Sequence, residues 1–436
     1  MAFKATSETG FYGWINLATA SIMGVIGGLY LVSLSYFLPY LCQDFGWNRS
    51  SASLASTINL LAMGLCGPIA GAFIVKHGAK RAIFVGNILG VAGFAMMYFQ
   101  SRLWELYLAY GVIIGVGVGF GGLLASTTVI CNWFVKKRSM ALGIFLGVGG
   151  AGGIFMGPAI THYINTIGWR KTCLIISALI LLFSVIMPLI LIRNKPQDLK
   201  QTPDGPDAQA PALTKAAIPT QSTYKTPVDF TAKEALRTRA LWFLIVYYCL
   251  NMLAMNALMT HLFGHMLDVG ISSTLAATAL STMSCVMAFA NFSTGFLGRK
   301  YSMRSIAIGA EVLKICGLVI LVFTNSLPFV FAFMVFLGAG FGAVMVATMN
   351  IFPNYFGISN YPKIMGIVRL FWAFTGGTGA PLAGLIHDIQ GTFLPAFRIT
   401  IILVAAGLVC LIFAKPPVHP SLQKMKSEEL LAAAAE

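Results

Sequence analysis

Charge is scarce in this chain, and negative charge most of all. Only 10% of its 436 residues are Asp, Glu, Lys or Arg, and 14 acids stand against 29 Lys and Arg. A water-soluble globule carries roughly 25% charged residues, so that class is excluded. Strict alternation is missing too. Barrel strands alternate over about ten residues, whereas the apolar runs here are continuous, which excludes a membrane β-barrel. The eight cysteines show no CxxC spacing and most sit within or beside apolar runs. They read as small buried side chains, and no metal site follows. No nucleophile–base set stands out in the polar gaps, so neither an enzyme nor a bound cofactor is expected. A signal peptide has an apolar core of only about 7–15 residues and a small-residue cleavage site. The first run is longer and shows no such site, so it is expected to stay.

What is present is apolar length. Hydrophobic residues make up 57% of the chain and the mean hydropathy is +0.80. A membrane-spanning helix needs roughly 20 mostly apolar residues. Twelve such stretches can be drawn, at 13–41, 52–74, 82–99, 106–131, 139–163, 172–193, 240–266, 274–298, 305–324, 329–353, 364–386 and 394–414. The lipid bilayer is therefore the expected solvent. Of the 29 basic residues, twenty-two fall in alternate gaps that include both termini, five in the other gaps, and two, Lys314 and Arg369, inside spans. Positive residues collect on the cytoplasmic side, so both termini are expected there, in a plasma or inner membrane. The net charge of +15 needs no nucleic acid to explain it.

The one long polar segment is 194–239, with Pro196, Pro203, Pro206, Pro211, Pro219 and Pro227. Its composition cannot bury enough surface to order fully. It divides the chain into 1–193, a linker 194–239, 240–416 and a tail 417–436, of which Ala432 to Glu436 is set aside as low-complexity. The halves echo each other. Gly115, Gly117 and Gly119 match Gly338, Gly340 and Gly342 at an offset of 223, as do Gly143 with Gly366 and Pro158 with Pro381. Gly71 matches Gly295 at 224, and Asn132-Trp133-Phe134 matches Asn354-Tyr355-Phe356 at 222. Repeated helical halves mark secondary transporters, with the substrate between them near the midplane. The Gly117-x-Gly119-x-x-Gly122 pattern lies inside a span and lacks the strand a dinucleotide site needs, so it reads as close helix packing. Gly149, Gly153 and Gly157 read the same way.

Longer motifs carry a resemblance. Gly71-Ala-Phe-Ile-Val75-Lys76-His77-Gly78-Ala-Lys80-Arg81 resembles the major facilitator signature loop, with Val75 in place of its acid. Gly10-Phe11-Tyr12-Gly13-Trp14, Asp44-Phe-Gly46-Trp47-Asn-Arg49-Ser50-Ser51 and Asn132-Trp133-Phe134-Val-Lys136-Lys137-Arg138-Ser-Met-Ala141-Leu-Gly143 are similar to the monocarboxylate porter branch, near its oxalate:formate antiporters. Gly168-Trp169-Arg170 and Asp268-Val-Gly270-Ile271-Ser272 agree. The resemblance implies an all-α membrane protein of 12 transmembrane helices in two pseudo-symmetric six-helix bundles, the major facilitator fold. It implies a monomer that moves a small organic anion by rocker-switch alternating access, with or without a co-transported proton. This chain departs from the family at the charged positions. Tyr36 stands where animal members carry a span-1 Lys, Met287 and Asn291 stand for the span-8 Asp and Arg, and Trp372 falls near the span-11 Lys of oxalate transporters.

Several side chains remain as candidates. Arg369, inside span 11, reads as an anion ligand or as a snorkelling or gate residue. Glu311 and Lys314 share a helix face and read as a proton relay or a self-neutralised pair. His261 reads as a substrate contact, a pH sensor or a packed histidine. Asn256 and Asn291 must satisfy their amides in either role, and Tyr30, Tyr36 and Trp372 line a pocket or pack. Lys76 and Arg81 read as gate or topology charges. The alternative cargo is a neutral or zwitterionic solute such as an amino acid, and the remaining alternative is a ligand sensor without flux.

Overall fold

The computed structural model describes residues 11–205, 224–323 and 326–421. Twelve helical rods follow the twelve apolar stretches. They are α1 (Gly13–Phe45), α2 (Arg49–Leu65 and Gly67–His77), α3 (Ala79–Phe99), α4 (Leu103–Trp133), α5 (Arg138–Ile167) and α6 (Trp169–Leu191). The second half repeats the set as α7 (Arg239–Asp268), α8 (Ser273–Leu297), α9 (Met303–Phe323), α10 (Leu327–Phe356), α11 (Tyr361–Gln390) and α12 (Leu394–Phe413). Among the described residues nine helices are long and apolar enough to cross a membrane, or ten if the bent pair in α2 is one span. The 30-residue α5 and α11 complete the twelve.

Helix is the required form, because lipid offers backbone N–H and C=O groups no other partner. Two spans that read as continuous are broken. The rod α2 bends by 44° at Cys66. Pro68 opens its second segment, and a proline there has no N–H to carry the ladder across the bend. In α4, π-helical turns run over Tyr107–Ile114, and Gly122 leaves helical geometry at φ −83, ψ −139. Several helices outrun their apolar cores: α1 reaches Phe45 and α11 runs from Tyr361 to Gln390. Helical periodicity continues into the headgroup layer, where apolar runs stop. Of the glycine row in α5, Gly149 faces Gly24 of α1, while Gly153 and Gly157 lie outside the described side chains.

The cores tell how the halves sit together. At the face where the described residues begin and end, here the termini face, one continuous cluster includes Ile74, Val129, Cys131 and Phe134 of the first half with Phe352, Tyr361, Ile364 and Val368 of the second. Toward the opposite face the core divides. Ile26, Tyr30, Phe37 and Phe94 belong to a cluster of first-half residues, and Leu258, Leu262, Met283 and Phe397 to one of second-half residues. The halves are thus welded at the termini face and separately packed beyond it. The described parts of the linker, 194–205 and 224–239, are more ordered than its composition suggests. Pro196–Leu199 forms a 3-10 turn and Ala232–Leu236 a short helix with a reciprocal Thr231–Glu234 cap. The tail beyond 421, including Ala432 to Glu436, lies outside the described residues.

Candidate functional site

Two glycine-lined seams join the halves. In the first, α2 lies on α11: a Cβ added at Gly67 would sit 2.6 Å from the Gly366 carbonyl oxygen, which is backbone and cannot swing away. In the second, α5 lies on α8, and a Cβ at Gly143 would sit 2.7 Å from the Asn291 oxygen and 2.7 Å from the Gly295 Cα. Gly143 and Gly366 are repeat equivalents, so the two seams are the same contact made twice. Two polar contacts cross between the halves nearby. The Tyr361 hydroxyl meets Thr127 Oγ1 at 3.4 Å, and Arg138 Nη1 donates to Asn354 Oδ1 at 3.2 Å.

Arg369 sits just inside the first seam. It lies eight residues into α11 and is 5% exposed. Its Cβ is 3.4 Å from the space a Cβ on Gly67 would take. Tyr248 on α7 and Tyr361 are its titratable neighbours, both as neutral phenols. Among the described residues no carboxylate pairs with it and no hydrogen bond holds it. A buried cation without a partner is costly, and such charges in proteins are normally paired.

One turn further on, Trp372 has a buried Nε1 with no acceptor among the described residues. It shares with Asn256 of α7 the ground around Gly376, and the Asn256 amide donates to Met252 O at 3.1 Å. Asn291 belongs to the other seam, where its buried Oδ1 has no donor among the described residues. The structure therefore gathers Arg369, Trp372 and Asn256 on the α7–α11 side and sets Asn291 on the α5–α8 side. His261 is engaged: Nε2 lies 2.8 Å from Ala380 O, and its ring stacks on Phe393 with centroids 4.8 Å apart. Tyr30 is engaged as well, donating to Asn87 Oδ1 at 2.9 Å inside the first half. Tyr36 is half-buried, on the part of α1 away from the termini face. Lys76 and Arg81 are exposed at the termini face.

Glu311 and Lys314 lie elsewhere, in the interior of the second half. Their ion pair spans 2.8 Å with both side chains 0% exposed. The Lys314 ammonium also donates to Asn251 and sits 5.2 Å from the Phe341 ring centroid. Sequence reasoning missed Tyr248 and Tyr361. Both are ordinary aromatics in apolar surroundings, and only the packing of α7 and α4 on α11 brings them to the guanidinium and to Thr127.

Comparisons with known proteins agree with the fold. The Major Facilitator Superfamily profile matches residues 18–327 and 264–434. Human monocarboxylate transporter 2 is 25% identical over 431 residues, covering 96% of this chain and 89% of that protein. Human monocarboxylate transporter 11 is 25% identical over 91% of this chain and 82% of its own length. Among solved structures, the transporter FucP in its outward conformation superposes with a TM-score of 0.69 at 15% identity, covering 93% of this chain and 100% of that one. The proton:xylose symporter XylE, bound to a bromodeoxyglucose, gives 0.73 at 13% identity over 92% of this chain and 95% of that one.

Proposed function

The chain belongs to the Major Facilitator Superfamily, and from that premise we propose that it carries a small organic anion of the monocarboxylate kind. It is a multi-pass membrane transporter and not an enzyme. The observation that carries the anion reading is the buried guanidinium of Arg369, which neighbours Tyr248 and Tyr361 and has no counter-ion among the described residues. A carboxylate arriving there completes a pair that the protein leaves open, and the planar guanidinium suits two-point contact with it. Human transporters with monocarboxylate in their names align along almost the whole chain, which supports the same class.

The mechanism we infer is rocker-switch alternating access by 1–193 against 240–416, joined by 194–239. The welded termini face and the divided core beyond it support a state open to the opposite side. By the distribution of positive charge, that side is the outer one and both termini are cytoplasmic. Glycine seams let the two surfaces part without tearing interdigitated side chains. We take Glu311 and Lys314 as a self-neutralised structural pair, since they face each other rather than the seam. His261 and Tyr30 serve packing in this reading. Lys76 and Arg81 act as topology charges, and Tyr36 lines the open side. The working unit is a monomer, and the driving force is the substrate's own gradient, with a proton as the alternative second cargo.

One observation favours a second cargo class. The unpartnered Asn291 Oδ1 is an acceptor, which suits a solute bearing an N–H donor, as an amino acid does. Uptake of a labelled short monocarboxylate into vesicles containing the purified protein tests both. Competition by other carboxylates alone supports the anion reading. Competition by amino acids alone overturns it in favour of a zwitterion, and saturable binding without uptake would leave only a sensor.

A further inference from the structure

The loops that lead into α5 and α11 are equivalent in the internal repeat, since Asn132-Trp133-Phe134 answers to Asn354-Tyr355-Phe356. Each is seated on a carboxylate supplied by the linker. Asp204, 5% exposed, accepts from the backbone N–H groups of Val135 (3.0 Å), Lys136 (2.6 Å) and Lys137 (2.9 Å). Its own N–H donates to Trp133 O at 3.0 Å. Asp229 accepts from the N–H groups of Ile358 (3.3 Å) and Ser359 (3.1 Å) and from the Ser359 hydroxyl. The next residue, Phe230, donates its N–H to Phe356 O at 2.9 Å. Thus Asp204 clamps the first half and Asp229 the second, in the same manner.

The segment that carries Asp229 also reaches the other half. Thr226 N–H donates to Asn354 O at 2.8 Å, so residues 226–230 are anchored to the second half. One position earlier, Lys225 Nζ donates to Val135 O at 3.0 Å, on the loop that Asp204 clamps. Burial and the Arg138 guanidinium lower the Lys225 ammonium below its ordinary range, and Asp204 partly offsets them. Lys225 therefore stands in a crowd of cations whose nearby carboxylate is Asp204.

We propose that residues 225–230 are a strap across the termini-face seam, in which Asp204 and Asp229 position the two equivalent loops and Lys225 pins one half to the other. The pin exists only while this face is closed, because Val135 belongs to the first half and Thr226 is anchored to the second. A contact made in one state biases the equilibrium toward that state by its own free energy. Opening the face breaks the pin, and removing the pin makes opening easier.

Two native thiols read this out. Cys131 is 0% exposed in the shared core, beside Tyr361 and Arg138, and labels when the seam parts. Cys173 is 0% exposed within the first half alone and labels only on unfolding. The experiment is site-resolved maleimide labelling of the full chain in lipid vesicles. In Lys225→Ala and in Asp229→Asn, Cys131 should label about five-fold faster than in the wild type, the weight of one exposed charged contact. Cys173 should not change, and Lys225→Arg should keep the wild-type rate. Unchanged Cys131 labelling in Lys225→Ala would overturn the strap. So would parallel acceleration of Cys131 and Cys173, because the contacts would then merely hold the fold together.

Discussion

Replacing Arg369 by Met should make the empty protein more stable and the transporter useless. Arg369 lies five residues inside the apolar run that begins at 364, about 8 Å along the axis, within a hydrocarbon layer about 30 Å thick but short of its centre. A charge at the centre of a spanning helix costs about 2.5–3.5 kcal/mol on insertion scales. Exchanging buried ionic groups for apolar ones of similar volume is often stabilising, by about 1–4 kcal/mol. Among the described residues Arg369 has no carboxylate to lose, so Arg369→Met should gain about 1–3 kcal/mol and melt a few degrees higher without ligand. The bound state should suffer instead. A hydrogen bond to a charged group contributes about 1.5–3 kcal/mol, so affinity for a carboxylate should fall roughly 10- to 100-fold. Thermal melting with and without a short monocarboxylate measures both effects, since a ligand for the folded state raises the midpoint. Arg369→Lys separates charge from shape: it keeps the cation and loses the planar fork. A lower midpoint for the empty Met variant would mean that the guanidinium is a structural prop. An undiminished ligand shift in the same variant would refute the site.

Other perturbations address the seams, the buried pair and the linker. Gly143→Val puts a branched side chain against the Asn291 oxygen and the Gly295 Cα. Overpacking of about 1–3 kcal/mol should disfavour this closed face and cut vesicle uptake by about ten-fold or more, with insertion retained; normal uptake would show the seam to be loose. Glu311→Gln leaves Lys314 buried beside a neutral amide, so it should cost about 3–5 kcal/mol in melting, and Glu311→Leu combined with Lys314→Met should recover most of that. A double variant that melts normally yet fails to transport would move the pair from structure to coupling. At the linker helix, the Thr231 backbone N–H first, and its hydroxyl next, hold Glu234 below the usual carboxylate range. That contribution is fully present above the ordinary carboxylate pKa and is lost as pH falls through the depressed one. Wild type and Glu234→Ala should therefore differ in linker proteolysis at neutral pH and converge in acid; a gap that widens in acid would contradict the cap.

The parts of this molecule legible in the sequence are those set by lipid. Continuous apolar length located the rods, and the offset of 222–224 residues revealed the two halves. Arg369 stood out because a cation inside a span is rare enough to need a reason. Pro68 was equally visible, yet whether it bends α2 or only begins a new segment depends on how that rod meets Gly366. The neighbours of Arg369 were not legible, since Tyr248 and Tyr361 are distinguished only by which helix faces meet. Tyr30 looked like a pocket residue because nothing along the chain announces that Asn87, fifty-seven residues later, accepts its hydroxyl.

Scarcity itself explains what the linker does. The loop before α5 reads Val135-Lys136-Lys137 and the one before α11 reads Gly357-Ile358-Ser359-Asn360, with no acid in either. Both loops nevertheless present backbone N–H groups at the start of a long helix, where an acceptor is needed and negative charge is favoured. With 14 acidic residues in the whole chain, the acceptor has to come from elsewhere. Lipid-facing helices cannot spare one, since an acid there would be buried in hydrocarbon. The linker is polar and lies beside both loops, and it can give a carboxylate to each at little cost. Its composition reads as disorder because composition averages over the segment. Asp204 and Asp229 act singly, each against a fixed set of N–H groups that only the folded bundles create. A segment that looks like a tether can therefore hold both halves at equivalent points, and the internal repeat predicts where those points must be.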